Sequence, residues 1–215
     1  MTLDSRHAVD LINETVMAHE PGEITLVPTG PLTNIALALR KEPRIIERVR
    51  EVVLMGGGFH EGNATPVAEF NVLVDPEAAA IVFDAGWPVV MVGLDLTHQA
   101  LATADVAARV GEIDSASARF VGQLIEAFGR AYKEVQGFDA PPVHDPCAVA
   151  YVIDPSIVTT RRAPLTVELH GEHTTGMTVA DLRGDEPADC PTSVATRLDV
   201  DRFWNLVLDA IRATG

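Results

Sequence analysis

The stretch Asn63-Ala64-Thr65-Pro66-Val67-Ala68-Glu69-Phe70-Asn71 places one carboxylate and two carboxamides close together in the chain. Carboxamides both donate and accept hydrogen bonds, so this set can satisfy several sugar hydroxyls at once. It follows Gly56-Gly57-Gly58, where missing side chains let backbone come close to a ligand. The same residues also read as a polar loop whose Asn and Glu only satisfy its own backbone. Asn63-Ala64-Thr65 spells a glycosylation sequon, a chance match where no secretory leader precedes it.

A second candidate is His144-Asp145-Pro146. A carboxylate oxygen at a helix start beside a titratable imidazole can hold a hard cation and protonate a leaving group. Asp before Pro is equally an ordinary helix opening, and Asp75-Pro76 and Asp154-Pro155 repeat it in this chain. Thr29-Gly30-Pro31-Leu32-Thr33-Asn34 joins a strand to a helix and reads by itself as a tight turn with a polar cap. Tyr132 and His98 could face an aromatic ligand, although helix packing and surface exposure account for them too. Cys147 and Cys190 lack C-x-x-C spacing and read as reduced structural thiols.

These residues need elements to position them. The helical spacing of Ala8, Val9, Ile12 and Val16 predicts a first helix, capped by Asp4 or Ser5 and ended by Pro21-Gly22. Glu23–Val27, Glu51–Met55 and Pro88–Val92 read as short buried strands, with helices opened by Pro31 and by Asp75-Pro76 between them. Further helices are expected at about 103–110, 114–135 and 146–153. Leu165–His170, Thr175–Asp181 and Ser193–Leu198 resemble strands of an antiparallel end section. A last helix near Asp201 is expected to bury Phe203, Leu206, Val207 and Ile211. Buried strands alternating with helices predict an α/β fold, a Rossmann-like, mostly parallel sheet flanked by helices. Residues 1–215 read as a single domain, without repeat, linker or low-complexity tract. In such sheets ligands gather beyond the carboxyl ends of the strands, which points to Pro28–Gly30, Gly56–Asn71 and Gly93–Asp95.

Composition narrows the partners. There are 31 acidic and 16 basic residues, a net charge of −15, and such a surface repels phosphate backbones and anionic lipids. Nucleic acid and membranes are therefore not expected partners. The opening Met1-Thr2-Leu3-Asp4-Ser5-Arg6 lacks the features of a secretory signal, so a cytoplasmic location is expected. Gly56–Gly62 has the wrong glycine spacing for a dinucleotide-binding turn, which argues against an oxidoreductase.

In order along the chain stand Thr29-Gly30-Pro31-Leu32-Thr33-Asn34, Met55-Gly56-Gly57-Gly58, Asn63-x-Thr65-Pro66-x-x-Glu69-Phe70-Asn71 and His144-Asp145-Pro146. With Asp75-Pro76-Glu77-Ala78 and Gly93-Leu94-Asp95-Leu96-Thr97, this set resembles the inosine-uridine-preferring nucleoside hydrolase family over essentially the whole chain. The resemblance implies the nucleoside hydrolase fold and hydrolysis of the N-glycosidic bond of purine or pyrimidine ribonucleosides to ribose and free base. It implies Ca²⁺ as cofactor, with the Thr29 carbonyl and the Asp145 carboxylate as two ligands. Asn63, Glu69 and Asn71 would hold ribose hydroxyls, Met55 would line the sugar site, and His144 would assist departure of the base. The family also implies a homodimer or homotetramer.

The family's opening D-x-D-x-x-x-D-D motif has no match, Asp199-Val200-Asp201 being the nearest fragment. The expectation is thus an N-terminally truncated member with an incomplete calcium site and little activity by itself. The competing expectation is a catalytically impaired remnant that binds ribose or nucleoside, or serves as an interaction module.

Overall fold

The computed structural model describes residues 4–214, so Met1–Leu3 of the leader reading lie outside the described residues. The described chain contains α1 (Ala8–Ala18), β1 (Ile24–Leu26), α2 (Thr33–Lys41), β2 (Val49–Met55), α3 (Phe70–Val74), α4 (Pro76–Phe83) and β3 (Val89–Val92). There follow α5 (Leu94–Thr97), α6 (Ala104–Gly111), α7 (Ala116–Gln136), α8 (Asp145–Ile153), β4 (Val158–Arg162), β5 (Leu165–Val167), β6 (Thr178–Ala180), β7 (Thr192–Leu198) and α9 (Val200–Ala213). The contacts divide it into two compact units, residues 1–95 with 160–196, and residues 96–159 with 197–215.

One sheet has the order β1-β2-β3-β7-β4, with β1, β2 and β3 entirely in the first unit. β1 pairs parallel with β2, β2 with β3, and β3 with β7. Every residue of β3 is buried, as a central parallel strand covered on both faces requires. Its core joins Val16, Leu39, Ile45, Leu54, Val82 and Trp87, and the Trp87 indole N–H donates to the Val82 carbonyl at 2.9 Å. β5 and β6 form a separate antiparallel pair. The second unit packs Val110, Ala118, Leu208 and Ile211 together. Among the described residues no helix is long and apolar enough to cross a membrane.

The expected α/β architecture is present, with local differences that have physical causes. β7, expected in the antiparallel end section, lies instead parallel to β3. Its consecutive residues Val194 and Ala195 are both buried, which suits a strand covered on two faces. The first helix is capped by His7, whose Nδ1 accepts from the Val9 N–H at 3.2 Å, because Asp4 is already paired with Arg6 at 2.6 Å. α9 buries Phe203, Trp204, Leu208 and Ile211, while Leu206 and Val207 are only half-buried. The face is thus rotated, placing Trp204 inside.

The turn after β2 depends on glycine. Gly57 has φ +73°, and a Cβ on it would stand 2.7 Å from Met91 Sδ and 3.0 Å from Thr178. Gly22 also has a positive φ, +81°, but a Cβ there would meet nothing within 4 Å. Gly57→Ala is therefore expected to lose about 2–4 kcal/mol, from backbone strain plus overpacking, and Gly22→Ala only about 1–2 kcal/mol. Urea midpoints of the two variants check this contrast; equal losses would show that crowding at Gly57 is relieved at no cost.

Candidate active site

In the first unit the polar residues singled out from the sequence converge on one turn. Glu69 precedes α3, is 3 % exposed, and caps that helix. Its Oε1 accepts from the Asn71 N–H at 2.9 Å, and its Oε2 accepts from Gly57 N–H at 2.9 Å and Val72 N–H at 3.2 Å. A buried carboxylate is costly unless donors meet its charge, and these three amides do so. Gly56 leaves room for it: a Cβ there would stand 3.2 Å from Oε2.

Asn71 is also buried, and its Nδ2 donates to the Met55 carbonyl at 3.0 Å and lies 3.5 Å from Met55 Sδ. With Nδ2 spent on β2, its Oδ1 is the end available to accept from a hydroxyl. Asn63 shows the reverse polarity, since its Oδ1 accepts from the Phe70 N–H at 2.9 Å and leaves Nδ2 as a donor. Met55, Asn63, Glu69 and Asn71 are thus gathered at the carboxyl end of β2. Thr29 belongs to the same unit. It is exposed, and the preceding Pro28 carbonyl accepts from the Met55 N–H at 2.9 Å.

His144 and Asp145 belong to the second unit, at the start of α8. His144 Nδ1 lies 2.8 Å from Thr97 Oγ1, and Nε2 lies 2.6 Å from the Tyr132 hydroxyl. Phe138 and His98 complete an aromatic nest, with the His98 ring 5.8 Å and the Tyr132 ring 5.9 Å from that of His144. Burial, with a smaller contribution from His98, lowers the His144 pKa to about 4, so the resting imidazole is neutral at neutral pH. Burial likewise raises the pKa of Asp145. Among the described residues the Asp145 carboxylate takes no hydrogen bond; it is the first residue of α8, behind His144 at the N-cap, and so does not cap the helix as the Asp-Pro reading expects. Cys147, two residues on, is unpaired and its thiol is pushed up to about 12 by burial.

Some contributors were not singled out from the sequence. Thr178 is buried, and its hydroxyl bonds both the N–H and the carbonyl of Gly58. Nothing in the sequence marks it. Asp95 Oδ2 accepts from the Phe59 N–H at 2.8 Å, and Oδ1 lies 2.5 Å from His60 Nδ1. Its strand-end loop was signalled, though not its role. Thr97 lay within a recognised phrase without being assigned to His144.

Calcium takes about six to eight oxygen ligands. Among the described residues no group of three or more His, Cys, Asp or Glu side chains is placed to hold a metal ion. Asp145 has the chemistry of one ligand and the Thr29 carbonyl that of another, but two oxygens do not make a calcium site by themselves.

Comparison with known proteins identifies the family. A model of the family described as inosine-uridine preferring nucleoside hydrolase matches residues 1–205. The chain is 60 % identical over 213 residues to the inosine-uridine preferring nucleoside hydrolase of Crithidia fasciculata, covering 99 % of this chain and 68 % of that protein. It is 41 % identical over 209 residues to a pyrimidine-specific ribonucleoside hydrolase of Escherichia coli, covering 97 % and 66 %. Among solved structures, the purine-preferring ribonucleoside hydrolase of Gardnerella vaginalis superposes with a TM-score of 0.90 at 35 % identity, covering 99 % of this chain and 67 % of that one. A mostly parallel sheet flanked by helices, matched along nearly its whole length by the family model and by these relatives, makes this chain a member of the inosine-uridine preferring nucleoside hydrolase family.

Proposed function

We propose that this chain carries out the family's reaction, hydrolysis of the ribonucleoside N-glycosidic bond to ribose and free base, with the turn after β2 in the first unit assigned to the sugar and His144 in the second unit assigned to the departing base. The observation that carries this reading is the convergence of Met55, Asn63, Glu69 and Asn71 on one turn, Asn63 half-buried and the other three buried. Asn71 offers an acceptor and Asn63 a donor, a complementary pair for neighbouring sugar hydroxyls. As the glycosidic bond breaks, positive charge develops on the sugar, and a fixed carboxylate near the ring stabilises it. Glu69 is suited to that task because its position is set by backbone amides and needs no rearrangement during reaction.

The base leaves more readily once protonated. His144 is neutral at rest, so acid assistance requires the ring to take a proton from solvent while substrate is bound and to pass it to the departing base, returning to the neutral form. The Tyr132 hydroxyl beside Nε2 and the Thr97 hydroxyl beside Nδ1 fix the ring plane from both ends. Calcium, with Thr29 and Asp145 among its ligands, belongs to the proposal through family resemblance. So do a cytoplasmic location and assembly as a homodimer or homotetramer. No step above passes through the ion.

Release of base from inosine or uridine by the purified protein tests the activity itself; no release of base from either nucleoside would remove it. His144→Ala is expected to lower turnover of natural nucleosides by about 10²–10⁴-fold, the usual worth of a general acid. Turnover of nitrophenyl riboside, whose leaving group needs little protonation, should change far less, and equal losses on both would take His144 out of that role. For the metal, calorimetry of the 215-residue polypeptide alone with CaCl₂ should give no saturable heat at micromolar concentrations. Tight binding by that polypeptide would reveal oxygen ligands beyond Thr29 and Asp145.

A further inference from the structure

Three consecutive amides follow β2, and each is held by a side-chain oxygen from a different part of the chain. Gly57 N–H donates to Glu69 Oε2 at 2.9 Å, Gly58 N–H to Thr178 Oγ1 at 2.9 Å, and Phe59 N–H to Asp95 Oδ2 at 2.8 Å. The middle clamp is double, since the Thr178 hydroxyl also donates to the Gly58 carbonyl at 2.6 Å. A hydroxyl at this distance from the backbone can accept and donate strongly through one atom. Thr178 is 1 % exposed, so water does not compete for either bond.

The neighbours of Thr178 tie it to the same turn. Met177 forms an antiparallel bridge with Ala68, the residue before Glu69. Gly176, at φ +82°, lies so close to α3 that a Cβ there would stand 3.0 Å from the Cα of Leu73. The Thr178 side chain also stands 3.0 Å from where a Gly57 Cβ would be. The start of β6 is therefore clasped onto both sides of Glu69: the glycine turn that donates to it and the segment that bears it.

We propose that Thr178 is a positioning residue for the sugar side of the site, acting through Gly58 to fix Gly57 and thereby the Glu69 carboxylate. The proposal rests on the reading above that Glu69 and Asn71 hold the ribose. Without the hydroxyl, the Gly58 amide and carbonyl are left unpaired in a buried place, and the turn must shift to satisfy them. A shift there is transmitted to the one carboxylate oxygen that joins Gly57 to Val72.

The test compares Thr178→Val, which keeps shape and loses both bonds, with Thr178→Ser, which keeps them. Thr192→Val is the control, because Thr192 is also buried in the first unit and spends its hydroxyl on the Ala163 carbonyl. Amide hydrogen exchange resolved by residue is read first. Thr178→Val should raise exchange at Gly57, Gly58 and Val72 by about tenfold or more, leave Val52 and Val90 unchanged, and be reversed in Thr178→Ser. Turnover of inosine is read second: kcat/KM should fall by about tenfold or more in Thr178→Val, recover in Thr178→Ser, and hold in Thr192→Val. Faster exchange confined to Gly58, the same loss in Thr192→Val, or no recovery in Thr178→Ser would overturn the assignment. If Thr178→Val does not fold, Thr178→Ala, smaller at every atom, is read in the same way. Absence of turnover in the parent protein would count against the proposed activity, whereas the exchange result judges Thr178 independently of it.

Discussion

The structure around the candidate site depends on one buried carboxylate. Glu69 has almost no contact with solvent, and three backbone amides take the place of water around it. Each amide left unpaired in such a place would cost about 1–3 kcal/mol, so the carboxylate and the backbone around it define one another. That mutual requirement explains the glycines. Gly56 must lack a side chain for Oε2 to approach, and Gly57 must take a left-handed conformation to aim its N–H at the carboxylate.

Function and scaffold are consequently not separable at this turn. A polar loop that satisfies its own backbone and a loop that binds sugar are rival descriptions of Asn63–Asn71; the bonds seen are those of the first, and they leave ends that the proposed second use would need. Asn71 anchors to Met55 through its amide nitrogen, and this turns its oxygen into the unspent end. Asn63 anchors through its oxygen and keeps its nitrogen. In the second unit His144 follows a similar logic. Hydroxyls at both ring nitrogens hold the imidazole, and burial keeps it uncharged.

Much of this was legible in the residues, for reasons that can be named. Asp75-Pro76 opens α4 with the Asp75 side chain bonded to the Ala78 amide, because that dipeptide supplies a cap and a pre-set first turn. Val89–Val92 reads as a buried strand because each residue is apolar and β-branched or flexible enough to fill a two-sided core. β4, by contrast, went unread, since Val158-Thr159-Thr160-Arg161-Arg162 offers a single apolar residue to a periodicity argument. β7 was seen as a strand but assigned to the wrong sheet, because pairing partners lie in distant sequence and leave no local trace. The site divides in the same way. Glu69 and Asn71 announce themselves by clustering, whereas Thr178 is one threonine among many until the fold brings it against Gly58.

That last contact spans 120 residues of chain. β3 likewise waits for β7, whose partner residues begin at Thr192. On a ribosome, the first 95 residues of this unit therefore emerge with the carboxylate and its glycine turn already synthesised but with their outer clasp still unmade. The Glu69 turn cannot settle until β6 and β7 arrive, and closing so long a loop is slow compared with forming any of the helices before it. The Glu69 turn is thus among the latest parts of the molecule to be completed, and a nascent chain halted before residue 178 has Glu69 and Asn71 without their final arrangement.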